Sequence, residues 1–338
     1  MRTLVISDLH LGSRLGRDVL RRPAALDGLL VALDDVDRLV LLGDTVELLE
    51  GRPREALAIA EPILRALGAR LGADREVVLV PGNHDRALIR PYLHANGIPA
   101  AVDAVLPGDA SPALARVVGW LAPARVSVRY PGVWLADGVW ATHGHYLDRH
   151  LVPESAYGVA RGPVARRPAD RALPRDYEHS RRPSLTRAEA LLTSRLPRPL
   201  ARRAEDAAEL LRAASMPTVG RRLSAHRWSR LTSRVLGLQM QRASIPAIAR
   251  VAGRLGVDAD HVVFGHVHRL GPLPADPPER WTGPGGRPRI VNSGSWVYEA
   301  LLLHHAGPPH PYWPGGAVLV EDGAPPRPIG LLDHLTAL

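Results

Sequence analysis

Five short apolar runs, rich in β-branched residues, punctuate the chain at 3–7, 39–42, 76–80, 138–142 and 261–264. Runs of four or five residues are too brief for ordinary helices, so they read as buried strands. Between the early ones, residues 23–36 and 53–71 carry helical periodicity. Further on, 289–292 and 317–320 are strand-like, while the Gly/Pro-rich stretches 271–288 and 306–316 read as loops. Strand and helix patterns in alternation predict a layered α/β fold, and no internal repeat interrupts it.

Polar residues of one chemical kind follow each of the five runs: Asp8-Leu9-His10, Gly43-Asp44, Gly82-Asn83-His84-Asp85, His143-Gly144-His145 and Gly265-His266-Val267-His268. In layered α/β folds the loops beyond the carboxyl ends of neighbouring strands converge, so donors far apart in sequence can meet around one pocket. Carboxylates, an amide carbonyl and imidazoles, in a chain with no cysteine, suit Mn, Fe or Zn and not thiophilic ions. Singly, each residue has an ordinary structural reading. Asp8 and Asp44 could cap turns, the glycines could serve positive φ, and a lone histidine is commonly just hydrogen-bonded. Jointly, five ordered blocks after five strands point to one metal site.

In that order, D-x-H, G-D, G-N-H-[DE], H and G-H-x-H, the blocks resemble the calcineurin-like metallophosphoesterases. The resemblance covers roughly residues 1–150 and 257–338. It implies an α/β fold, a layered β-sandwich of two mixed sheets flanked by helices, with the residues between as an insert. It also implies two divalent ions, manganese before iron or zinc. Asp8, His10 and His268 would hold one, Asn83, His143 and His266 the other, and Asp44 would bridge them. A metal-bridging hydroxide would attack phosphorus. His84 would steady the phosphoryl oxygens and protonate the leaving group, with Asp85 orienting its imidazole from behind. His145 falls outside this pattern; a structural role and a substrate contact are both open for it.

Charge is unevenly placed. All 43 basic residues are arginine, and segment 151–256 holds 21 of them against 8 acidic residues, a net of +13 in a chain of +9. This segment accounts for most of the 121 positions between His143 and Gly265, far more than a bare connection needs. Helix-forming composition over 187–196, 201–214 and 221–241 marks it as a mainly helical insert or cap. Over 221–241, Trp228, Leu231, Val235 and Leu238 share one helical face with Arg227, Arg230 and Arg234 beside it. Such a helix could pack on the core with a solvated basic rim, or lie at the surface of an anionic membrane.

The opening Ile6-Ser7-Asp8-Leu9-His10-Leu11 and the insert are similar to the UDP-2,3-diacylglucosamine pyrophosphatases, with two departures: His84 stands where that group usually carries arginine, and the insert is longer than theirs. The expected partner is therefore a phosphorylated small-molecule or lipid-linked substrate. A nucleic-acid phosphodiesterase or binder ranks lower, because Tyr157, Tyr177 and Trp228 are too scattered for a base-stacking series. A non-catalytic scaffold ranks lower still, since no ligand position is lost. No apolar stretch reaches the roughly 18–20 residues that span a bilayer, so a cytoplasmic location, peripheral to the membrane's inner face if attached, is the expectation. The motif Asn292-Ser293-Gly294-Ser295-Trp296 after a strand reads equally as a pocket wall or a tight turn.

Overall fold

The computed structural model describes residues 1–50, 52–151, 170–178, 243–303 and 306–335. The strands are β1 (Arg2–Ile6), β2 (Arg38–Leu42), β3 (Glu76–Val80), β4 (Ala104–Leu106), β5 (Arg125–Tyr130), β6 (Gly132–Ala136), β7 (Val139–Thr142), β8 (His261–Phe264), β9 (Leu270–Gly271), β10 (Arg289–Ser293), β11 (Gly316–Glu321) and β12 (Arg327–Gly330). They form a seven-stranded sheet in the order β12-β11-β1-β2-β3-β5-β4 and a five-stranded sheet in the order β6-β7-β8-β10-β9. Both are mixed. The centres, β1-β2-β3-β5 and β7-β8-β10, run parallel. Antiparallel strands close the edges.

Strand parity builds the layers. Leu4, Ile6, Leu39, Leu41, Val77 and Leu79 pack toward helices α1 (Pro23–Ala32) and α2 (Pro53–Leu71). Their alternates Val5, Val40, Leu42, Val78 and Val80 meet Val139, Ala141, Val263 and Val291 of the second sheet. On that sheet's far face, Trp140, Val262, Phe264 and Ile290 pack with Ile245, Ile248 and Ala252 of the helix over 243–254. Helix, sheet, sheet and helix thus stack as four layers. Strands buried on both faces read as continuous apolar runs, and a one-residue slip would exchange the two sets of contacts.

The predicted strands lie within a residue of those observed, whereas the helix read over 23–36 stops at Ala32, with Leu33 as its C-cap. Asp34 and Asp35 follow, and two carboxylates at a helix carboxyl end oppose its dipole. The helical readings over 187–196, 201–214 and 221–241, with the Trp228 face, lie outside the described residues. The described parts of 151–256, α3 (Pro174–Glu178) and the helix over 243–254, join the outer core of the second sheet through Tyr177, Ile245 and Ile248. Among the described residues no helix is long and apolar enough to cross a membrane.

Candidate metal centre

Beyond the carboxyl ends of β1, β2, β3, β7 and β8 the chain turns sharply, and backbone bonds tie the turns together. Asp8 N–H donates to the Gly43 carbonyl (3.0 Å), His10 N–H to the Asp44 carbonyl (2.8 Å) and Gly265 N–H to the His143 carbonyl (2.9 Å). The sheets are joined where His266 N–H donates to Asp8 Oδ2 at 2.9 Å. Among the described residues, the non-glycine positions with positive φ are Asp8 (55°), His10 (43°), Asp44 (51°), His266 (68°) and His268 (56°). All five are predicted ligands. Such backbone is disfavoured for residues with a Cβ and gathers at functional sites, where the surroundings hold it. Two motif glycines make room for a donor from another block: a Cβ on Gly43 would lie 2.3 Å from the His143 ring, and one on Gly265 2.5 Å from Asp8 Oδ2.

The first cluster is Asp8, His10 and His268, whose donor atoms lie within 4.8 Å of one another. His10 Nδ1 bonds Glu47 Oε2 at 2.7 Å. An ionised carboxylate only accepts, so Nδ1 carries the proton and Nε2 turns its lone pair to the site. There it meets His268 Nε2 at 3.3 Å, while Asp8 Oδ1, buried and without a hydrogen bond, sits 3.3 Å from the same His268 nitrogen. Three electron-rich atoms facing one another require a proton or a cation between them.

Asp44, His143 and His266 form the second cluster. His143 Nδ1 donates to the Leu42 carbonyl (3.0 Å), which leaves Nε2 facing Asp44 Oδ2 and Asn83 Oδ1, each at 3.1 Å. Asp44 Oδ2 also lies 3.8 Å from His10 Nε2, so this one oxygen sits between the clusters. Burial opposes charge here, but the carboxylates prevail. His143 is held up to about 9 by Asp44 first, with Asp8 and Asp85 adding. Asp44 is held well below its ordinary value by His143, His84 and His10. A metal ion would take the proton's place, as ligand sets release protons on binding. The hard, sulfur-free donors and the orphaned Asp8 oxygen fit that exchange.

Glu47 backs two residues at once. Its buried Oε2 accepts from His10 Nδ1 and from His84 Nδ1 (2.8 Å), and its Oε1 from the N–H groups of Leu49 (3.0 Å) and Glu50 (2.8 Å). Despite burial, these imidazoles hold the carboxyl down to about 2. Reciprocally, and against burial, Asp44 and Glu47 push His84 up to about 10. The expected partner of His84 was Asp85, and here the sequence reading is corrected. The Asp85 carboxylate accepts instead from Gly82 N–H (2.6 Å) and Thr45 N–H (2.7 Å), stapling the loops after β3 and β2. Burial and the nearby Asp44 raise Asp85 to about 6.

Two other supports stand behind the donors, the first from the Asn292–Trp296 motif that the sequence left open between a pocket wall and a tight turn, the second, Asp148, without a signal there. Asn292 donates to the Gly265 carbonyl (2.8 Å), Ser293 Oγ meets Ser7 Oγ at 2.7 Å, and Ser7 Oγ donates to Asp8 Oδ2, so Asn292-Ser293-Gly294 frames the donors from behind. Asp148 Oδ1 lies 3.2 Å from His266 Nε2. The sequence offered a signal for Glu47, an acid three residues beyond Asp44 among Val46, Leu48 and Leu49.

Residues 1–170 match the family model of calcineurin-like phosphoesterases, half of the chain and four of the five donor blocks. The chain belongs to the calcineurin-like phosphoesterase family. It is accordingly a metal-dependent phosphoesterase, a hydrolase. The fifth block of this phosphoesterase, after β8, lies outside the match and reaches the site through the fold. No curated protein matches the chain. Among solved structures, it is similar to the cold-active protein-tyrosine phosphatase of a psychrophilic Shewanella species at 13% identity and TM-score 0.28, covering 95% of this chain and 75% of that one. A point mutant of a cold-active protein tyrosine phosphatase matches with the same identity and coverage at TM-score 0.29. Likeness that loose transfers no residue role.

Proposed function

We propose that this phosphoesterase is a dinuclear enzyme that cleaves phosphoester or pyrophosphate bonds in an anionic, partly apolar substrate. The carrying observation is Asp44 Oδ2, which lies 3.1 Å from His143 Nε2 in one cluster and 3.8 Å from His10 Nε2 in the other. Asp8, His10 and His268 would hold one ion and Asn83, His143 and His266 the second, with Asp44 shared and manganese the first choice. When bound, such ions acidify water and polarise phosphoryl oxygens. The chain's own part is to fix tautomers and move a proton. Glu47 keeps the Nδ1 proton on both His10 and His84, leaving His84 Nε2 as the atom that would protonate the departing oxygen. The basic segment 151–256, net +13, supports acceptance of a nucleotide-linked or lipid-linked phosphate; contact with the membrane surface through 221–241 is part of the same proposal.

Metal analysis after Mn²⁺ loading tests the dinuclear part. Wild type should retain two ions per chain and Asp44→Ala close to none; loss of only one would remove Asp44 as the bridge. A screen of the loaded enzyme over phosphomonoesters, diesters, nucleoside diphosphate sugars and lipid-linked pyrophosphates tests the substrate. Activity confined to small monoesters would overturn the amphiphilic reading.

A further inference from the structure

Glu178, the last residue of α3, is the one acidic side chain that the described part of segment 151–256 brings to this centre, and its side chain is buried, 6% exposed. Its Oε1 accepts from the hydroxyls of Tyr146 (2.9 Å) and Tyr130, and its Oε2 pairs with Arg86 Nη2 at 2.6 Å. Tyr130 ends β5, Arg86 follows the block after β3, and Tyr146 follows the block after β7. One carboxylate therefore ties three strand ends. Its helix is seated independently, by Tyr177 stacked on Tyr146 at 4.8 Å and bonded to His150 at 3.0 Å.

His145 stands between this knot and the metal centre. Its ring centroid is 5.6 Å from that of His143, and its Nε2 is 3.8 Å from Glu178 Oε1, beyond hydrogen-bonding distance. Both His145 ring nitrogens are enclosed, and neither has a hydrogen-bond partner. An enclosed imidazole left with both hydrogen bonds unmade carries a desolvation cost that a ligand oxygen would remove. Arg86 Nε is in the same condition.

We infer that His145 is a substrate-contacting residue, donating a hydrogen bond to a phosphate oxygen on the His143 side of the centre, and that Glu178 is the positioning residue that holds it there through Tyr146, whose ring meets the His145 ring edge-on at 4.7 Å. The inference rests on the phosphoesterase reading of the metal centre and adds a specificity element supplied from the segment between the fourth and fifth blocks. Calorimetric titration of the Mn²⁺-loaded protein with inorganic phosphate tests it, beside KM and kcat on bis(p-nitrophenyl) phosphate. His145→Ala should weaken phosphate binding roughly 10- to 100-fold, the size of one hydrogen bond to a charged oxygen, with metal content unchanged. Glu178→Gln keeps an acceptor for the tyrosines but turns an amide to Arg86; it should raise KM more than it lowers kcat. In the double variant the two effects should not add, because both pass through His145. Full additivity would reduce Glu178 to a structural residue, and unchanged phosphate affinity in His145→Ala would remove the contact itself. Should Glu178→Gln fold poorly, Tyr146→Phe, which deletes one donor to the same oxygen and spares the Arg86 pair, should give a smaller loss in the same direction; no loss counts against the inference. Failure of wild type to hold Mn²⁺ would instead strike the parent reading, before any variant is made.

Discussion

Two buried carboxylates flank the centre, Glu47 and Glu178, and they reach it differently. Glu47 comes from the loop that also carries Asp44, and its partners are the imidazoles of the proposed ligand His10 and the proposed proton donor His84. Glu178 comes from the long segment between the fourth and fifth blocks, and its partners are an arginine in an ion pair and two hydrogen-bonded tyrosine hydroxyls. In both, burial that would protonate the acid is outweighed and the carboxyl is held down to about 2, by hydrogen-bonded His10 and His84 in one case and by the nearby charges of His145 and Arg86 in the other. Equal charge states thus serve unequal ends. Glu47 fixes where protons sit on groups that act, whereas Glu178 fixes where neighbouring strand ends lie.

The largest expected effect separates them. Glu47→Ala leaves His10 and His84 without their Nδ1 acceptor, so Mn²⁺ affinity should fall about 10- to 100-fold. Turnover at saturating Mn²⁺ should fall a further ~10²–10⁴-fold, the span of general acid catalysis. Glu178→Ala should keep its metals but lose about 1–3 kcal/mol of stability, since the buried hydroxyls of Tyr130 and Tyr146 would lose their acceptor and Arg86 its ion pair. Titration calorimetry and chemical denaturation report the two quantities. Full recovery of Glu47→Ala turnover at high Mn²⁺ would mean that Glu47 acts through His10 alone and that His84 needs no support.

Much of this was legible in the chain, though not these two acids. Each donor block joined a buried strand to metal-binding residues, four of the five with a glycine between or beside them, and their coincidence located the site. Adjacency misled the reading of Asp85: a carboxylate in a tight turn reaches back to the N–H three residues earlier, here Gly82, while His84 turns the other way to Glu47. Glu178 gave no signal. It closes the segment Pro-Arg-Asp-Tyr-Glu, which reads as a solvated helix, and its partners are up to 92 positions away, at Arg86. The strands β5 and β6 were hidden by Arg125 and Arg129 and by Pro131 between them, which break the apolar run that marked the others.

A pH series on the metal-free protein sharpens the contrast. At both acids the folded value of about 2 lies below the ordinary 4.5, so the unfolded chain binds the proton more tightly. Their stabilisation is complete above pH 4.5 and is lost as pH falls toward about 2. At high pH they part. His84 has its folded value raised from 6.5 to about 10, so its contribution is present below 6.5 and disappears as pH climbs through about 10. Arg86 and Tyr130 are both raised above their ordinary values, Tyr130 by burial and then by Glu178, so that knot keeps its charges over the same range. The stability difference between wild type and Glu47→Gln should therefore shrink between pH 6.5 and 10, and that for Glu178→Gln should stay level. Parallel curves would show that both acids are held by the same kind of partner.

The smallest effect belongs to a third carboxylate. Asp148 Oδ1 approaches His266 Nε2 at 3.2 Å, as Glu47 approaches His10, but its side chain is 46% exposed where that of Glu47 is 2% exposed. Water can take over the hydrogen bond of an exposed partner, and a surface ion pair contributes about 0–1 kcal/mol. Asp148→Asn should then weaken Mn²⁺ binding less than about tenfold and leave turnover at saturating Mn²⁺ near wild type. Equilibrium dialysis of the variant against graded Mn²⁺ decides. A loss as large as that of Glu47→Ala would mean that burial is not what distinguishes the acids behind the histidines, and that His266 depends on Asp148 for its orientation as His10 depends on Glu47.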